Sequence, residues 1–223
     1  MRITKLAAVA APLACLATPA MADEDTQYWQ TANVSVALSP TVRVSNELVA
    51  RSSEARGFYE LENVTMLNYK VTKQITIAAG YVHNPTYLHG DFAAMERRAR
   101  EQVTYDNFAK LGPVKLTGRI RMEQRWRDNV AGTGWRLRPF LKVSMPLIGK
   151  ASLNLTHESF INLNTTTFQK VDGYDRMRNA VFVSAPLNKQ VSVDFGYLNQ
   201  LGIVRGGADK SDHVITAGVS ANF

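Results

Sequence analysis

The feature that most constrains this chain is the run Val114–Val143, in which two arms of strict alternation flank the connection Asp-Asn-Val-Ala-Gly-Thr-Gly. In the first arm Val114, Leu116, Gly118, Ile120, Met122, Gln124 and Trp126 share one side. Lys115, Thr117, Arg119, Arg121, Glu123, Arg125 and Arg127 share the other. The second arm sets Trp135, Leu137, Pro139, Leu141 and Val143 against Arg136, Arg138 and Lys142. A period of two is the mark of a strand, and a Gly-containing connection between two such arms is a hairpin signal. Each arm runs to about a dozen residues, where soluble strands average five or six and a tilted transmembrane strand needs roughly 9–11. Trp126 and Trp135 flank the connection at one end, where the aromatic girdle of a membrane barrel sits.

The same alternation recurs along the chain, with Tyr59, Leu61, Leu67 and Tyr69 on one face of a strand and Glu60, Glu62 and Asn68 on the other. Short turns near 72, 112, 148 and 188 interleave with longer loops at 52–57, 84–96, 128–134, 164–174 and 202–212, the pattern of barrels with short periplasmic turns and long extracellular loops. Asp91 is placed to cap a short helical turn within the 84–96 loop. The expected fold is all-β, an antiparallel transmembrane β-barrel. Five long loops require ten strands from Val42 onward, the stretch before Pro40 is an eleventh alternating segment, and bacterial barrels normally have even counts. The expectation is therefore ten to twelve strands. The chain ends on Phe223 after Ile215, Ala217, Val219 and Ala221, which resembles the C-terminal signal by which outer-membrane barrels are recognised for insertion. A soluble periplasmic barrel or sandwich is the competing reading; it would bury the apolar face and put the arginines in solvent.

Residues 1–22 read as a secretory signal peptide: Arg2 and Lys5 precede an apolar stretch, Leu6 to Leu16, and Ala20-Met21-Ala22 is a small-residue cleavage site. The mature domain would span 23–223. The single cysteine, Cys15, falls in the leader, so no disulfide is expected. Cleavage removes two of the 26 basic residues and no acidic one, leaving an excess of five positive charges. Such an excess suits nucleic acid, an anionic surface or an anionic solute, and export argues against the first. The expected location is the outer membrane of a Gram-negative bacterium, with outer-membrane lipid and the barrel assembly machinery as partners.

Trp29, Arg119-x-Arg121-x-Glu123-x-Arg125, Trp135-Arg136-Leu137-Arg138, Glu158-x-Phe160-x-Asn162, Gly173-Tyr174-Asp175 followed by Arg178, and Gly196-Tyr197-Leu198-Asn199-Gln200 occur in that order. Together they resemble the bacterial outer-membrane β-barrel family catalogued as domain of unknown function 2490. The resemblance implies a fold and a location, since that family has no established activity.

With the apolar faces toward lipid, Arg98, Arg100, Arg119, Arg121, Arg125, Arg136, Arg138, Lys142, Arg176 and Arg178 point into the lumen, with Glu123 and Glu158 tuning them. Crowded guanidinium groups favour anions, as rings of Arg or Lys do in anion pores. This suggests a small pore or binder for anionic solutes, acting without cofactor or covalent chemistry. Glu47, Glu60, Glu62, Asp106 and Asp194 share that interior and could instead pair with the arginines and plug it. A second candidate, for a lipid hydrolase or deacylase, is His157 with Ser159 on the lipid-facing side of one strand, for which no orienting third residue can be named from sequence. A structural barrel whose partners bind the loops is the third possibility. His83, His89 and His213 show no metal-ligand spacing.

Overall fold

The computed structural model describes residues 23–223; the expected signal peptide lies outside them. The strands are β1 (Asp23–Ala37), β2 (Val42–Ser53), β3 (Gly57–Lys70), β4 (Ile75–Leu88), β5 (Asp91–Leu111), β6 (Val114–Arg127), β7 (Val130–Pro146), β8 (Ser152–Asn162), β9 (Gly173–Pro186), β10 (Val191–Gly202) and β11 (Lys210–Asn222). Each pairs antiparallel with its neighbours in sequence, and the sheet closes where β1 meets β11. That closing pair is parallel, in register from Asp23 opposite Lys210 to Ser35 opposite Asn222. The segment before Pro40 is thus a full strand, and the described residues hold eleven strands, within the expected ten to twelve and odd where an even count is usual. An odd count requires one parallel pair, so Asp23 and Phe223 lie at opposite ends of the barrel. At the turn end the Phe223 carbonyl accepts from the Ala37 amide at 2.8 Å and from Arg43 Nη2 at 3.0 Å.

Two expected long loops are mostly strand. Residues 84–96 hold no loop and no helical turn: β4 and β5 continue to the two residues His89 and Gly90, whose φ values of 52° and 93° are those of a tight hairpin turn. Likewise β6 and β7 meet at Asp128 and Asn129, with Asn129 at φ 61°. The real loops at this end are 163–172 and 203–209.

The outer wall carries exposed Val34, Leu67, Ile77, Val103, Ile120, Leu141, Val183, Phe195 and Val219, with Trp126 and Trp135 above them. An apolar belt of this extent suits lipid, and closure leaves no unpaired edge inside the bilayer. Among the described residues no helix is long and apolar enough to cross a membrane. The barrel crosses with strands, and with the arginines of β6 and β7 inside it the soluble alternative is overturned. One inward sector is apolar: Val64, Met66, Ala78 and Val82 form a small core between β3 and β4. Tyr59, expected among the outward apolar residues, also points in, because a bulge at Arg51/Ser52 shifts the β2–β3 register at that point.

Candidate functional site

The lumen is crossed at its waist by a lattice of arginines and glutamates. Glu123 of β6 is fully buried; its Oε1 accepts from Arg100 Nε and Arg138 Nη1, both at 2.7 Å, and its Oε2 accepts from Arg136 Nε at 2.8 Å. Glu62 of β3 accepts from Arg100 Nη2 at 2.7 Å and Arg98 Nη1 at 3.1 Å. Glu158 of β8 accepts from Arg138 Nη2 at 2.8 Å and also from Arg119. Glu96 of β5 takes Arg98 Nε at 2.6 Å and Arg125 through two nitrogens at 3.0 Å each. Arg51 pairs with Glu60.

Glu62, Glu96, Glu123 and Glu158 therefore each serve charges from at least two strands, and Arg98, Arg100 and Arg138 each span two carboxylates. The planar five-donor guanidinium can do this where a lysine ammonium cannot. Ions buried this way persist only if paired and hydrogen-bonded, since removing a charge from water costs several kcal/mol. Alternation along β5, β6 and β7 makes the lattice possible by sending every second side chain inward at matching levels: Arg100 stands opposite Glu123, and Glu123 opposite Arg136.

Aromatic rings complete the waist. Phe160, 1% exposed, has the guanidinium groups of Arg138 at 4.3 Å, Arg178 at 4.7 Å and Arg136 at 5.2 Å from its ring centre. Trp29 stacks against Arg51 at 4.3 Å and Arg178 at 4.6 Å. Its Nε1 donates toward Gln27 Oε1 at 3.0 Å, which Tyr59 also donates to at 2.6 Å. Cation–π contacts of this kind offset part of the cost of holding like charges together.

Above the waist the pairing is incomplete. A cavity of about 180 Å³ is lined by eight arginines, Arg51, Arg98, Arg125, Arg127, Arg136, Arg138, Arg176 and Arg178, against the three glutamates Glu60, Glu62 and Glu96. It shares Arg51, Glu60, Arg176 and Arg178 with a wider vestibule of about 480 Å³ that opens at the loop end past Trp29 and Gln200. Arg178 makes no ion pair among the described residues; its Nε donates to Gln200 Oε1 at 2.8 Å. The Nε atoms of Arg51, Arg127, Arg138 and Arg176 are buried without a hydrogen bond, Arg176 Nε having only Asp175 Oδ2 at 4.0 Å. The 163–172 loop folds over one side, where Gln169 Oε1 accepts from Arg125 Nη1 at 2.9 Å and Phe168 lies over Arg125 and Arg127.

All eleven lumen residues named from the sequence, Arg98, Arg100, Arg119, Arg121, Glu123, Arg125, Arg136, Arg138, Glu158, Arg176 and Arg178, project inward, although Arg119 and Arg121 lie below the vestibule. Arg121 donates its Nε to Gln102 at 2.9 Å. Of the acids expected to plug the interior, Glu60, Glu62, Glu123 and Glu158 join the lattice, whereas Asp194 bonds Ser184. Glu96, Trp29, Gln27 and Gln200 belong to the site and carried no expectation as site residues. His157 and Ser159 sit on the outer wall, away from the lumen. Among the described residues no group of His, Cys, Asp and Glu could hold a metal ion.

Residues 26–211 match the family described as "Protein of unknown function (DUF2490)". An uncharacterized protein of Methylorubrum extorquens is 26% identical over 174 residues, 75% of each chain. Among solved structures, the anion-selective porin from Comamonas acidovorans aligns at TM-score 0.40 and 12% identity, over 83% of this chain and 54% of the porin. The chain thus spans about half the length of that porin.

Proposed function

Taking as premise that the chain belongs to the family of unknown function DUF2490, we propose that it is an outer-membrane barrel of a Gram-negative bacterium that captures small anionic solutes above a closed waist. The observation that carries this reading is Arg178, a half-buried guanidinium with no ion pair among the described residues, beside Arg176 in a cavity lined by eight arginines and three glutamates inside a low-dielectric barrel. Arg178, which makes no ion pair among the described residues, and Arg176, whose carboxylate neighbour Asp175 is 4.0 Å away, attract carboxylate or phosphate oxygens and bind them bidentately. The combined space suits a ligand of one sugar ring or less, with its acid group against Arg176 and Arg178 and its body beside Trp29.

The waist favours a binding barrel over an open anion pore, because Arg100 and Glu123 are 2% and 0% exposed. Trp29 supplies the assay. In a Trp126→Phe, Trp135→Phe background it is the one tryptophan left, so its emission reports events at Arg51 and Arg178. Titrating the folded barrel with galacturonate or inorganic phosphate gives a saturable change, lost in Arg178→Ala, while glucose gives none. A folded barrel whose Trp29 emission responds to neither anion overturns the reading.

A further inference from the structure

On the outer wall His157 Nε2 lies 3.0 Å from Ser159 Oγ, and His157 Nδ1 lies 2.7 Å from Asn179 Oδ1. Ser159 Oγ is in turn 3.0 Å from the Tyr174 hydroxyl. One assignment of protons satisfies all three contacts. Tyr174 O–H donates to Ser159 Oγ, Ser159 O–H donates to His157 Nε2, and His157 Nδ1–H donates to Asn179 Oδ1. An amide oxygen has no proton to give, so Asn179 fixes the imidazole in the tautomer whose Nε2 is a free base. Nucleophile, base and orienting group at hydrogen-bond distance are the recognisable geometry of serine acyl transfer, whatever the fold that carries it.

Strand pairing builds the cluster. His157 of β8 stands opposite Asn179 of β9 in the register, and Ser159 follows two residues on along the same outward face. Leu141 on the β7 side and Val181 below Asn179 are both 40% exposed on the same wall. His157 and Asn179 therefore sit at the upper edge of an apolar slope, with Ser159, 9% exposed, beneath His157 and Tyr174, and a face meant only for lipid tails has no use for such polar groups. The lumen site lies on the other side of the wall and shares none of these residues.

We propose that His157 and Ser159 hydrolyse carboxylic esters of bilayer lipids, with Asn179 as positioning residue. Ser159 Oγ attacks the ester carbonyl carbon while its proton passes to His157 Nε2. The carbonyl carbon–alkoxy bond then breaks, and the leaving alcohol takes that proton. Water, deprotonated by the same nitrogen, attacks the acyl-serine, releases the fatty acid and restores Ser159. Tyr174 O–H, already beside Oγ, is the nearest donor for the developing oxyanion.

The test uses the refolded full barrel in mixed micelles of Triton X-100 and 1-palmitoyl-2-oleoyl-phosphatidylethanolamine, with hexadecanesulfonyl fluoride as the covalent probe. Heat-modifiable gel mobility verifies folding of every variant. The expected result is fatty-acid release and a single sulfonylated residue, Ser159, located by peptide mass spectrometry. Both are abolished in Ser159→Ala. Asn179→Ala lowers kcat on the order of 100-fold with KM held, and Asn179→Asp restores turnover, which a merely structural role would not produce. His83→Ala, on a distant part of the wall, leaves turnover unchanged. A folded wild-type barrel that neither releases fatty acid nor takes the probe overturns the proposal, as does labelling that survives Ser159→Ala.

Discussion

Arg100 and Glu123 stand directly opposite each other on β5 and β6, and the guanidinium Nε meets the carboxylate at 2.7 Å. Glu123 is wholly withdrawn from solvent and also serves Arg136 and Arg138. Glu123→Gln keeps the shape of the side chain and removes the charge that three buried arginines share. The expected cost is about 3–5 kcal/mol, the range for stranding buried charges by deleting one partner. Denaturant unfolding of the barrel in lipid vesicles, followed by tryptophan emission, measures it. An unchanged midpoint would mean that water reaches these arginines.

The same lattice sets the conductance. Wild-type barrel in a planar bilayer is expected to give no sustained open level, because Phe160, Arg100 and Glu123 fill the waist. Removing a pair together avoids leaving a lone charge, so Glu62→Ala with Arg100→Ala and Phe160→Ala opens a path while Arg136, Arg138 and Arg178 remain. The zero-current potential of that triple variant under a salt gradient then takes the sign of anion selectivity. A steady large conductance from the wild type contradicts a closed waist.

How far the sequence speaks for this site depends on where the alternation is strict. Along β6 and β7 nearly every second residue is charged, so inside and outside are readable from Arg119 to Arg138. Glu96 was hidden because Asn84, Pro85, His89 and Gly90 carry loop chemistry, and only pairing of Asn84 with Glu96 and of Pro85 with Met95 makes that segment strand. Tyr59 reads as outward by parity, and it is itself the extra residue of a bulge on β3, between Glu60 opposite Arg51 and Phe58 opposite Ser52, which reverses it. Arginines and glutamates on one face leave open whether they pair or gate, since that depends on levels set by register across β3, β5, β6, β7 and β8. For the same reason His157 and Ser159 are visible in sequence while Asn179 is not: it reaches His157 from the next strand, across the longest loop.

The parallel seam is the least legible element, because β1 and β11 lie at opposite ends of the chain and parity alone argues for a different closure. It is also open to a direct chemical test. Gln30 of β1 and Ala217 of β11 are register partners, and the stretch 23–223 has no cysteine to interfere. In a parallel pair all residues run level, so Gln30→Cys with Ala217→Cys is expected to cross-link under mild oxidation or with a short bifunctional thiol reagent. The product is a covalently closed barrel with altered mobility on non-reducing gels. Gln30→Cys with Phe195→Cys, one strand further on, controls for collisional coupling, since Phe195 pairs with Ala217 and not with β1. Efficient closure of the first pair and none of the second fixes β1 against β11. No closure of the first pair would take β1 out of the wall and leave ten strands closed by β2 and β11, with both chain ends of that wall at the turn end.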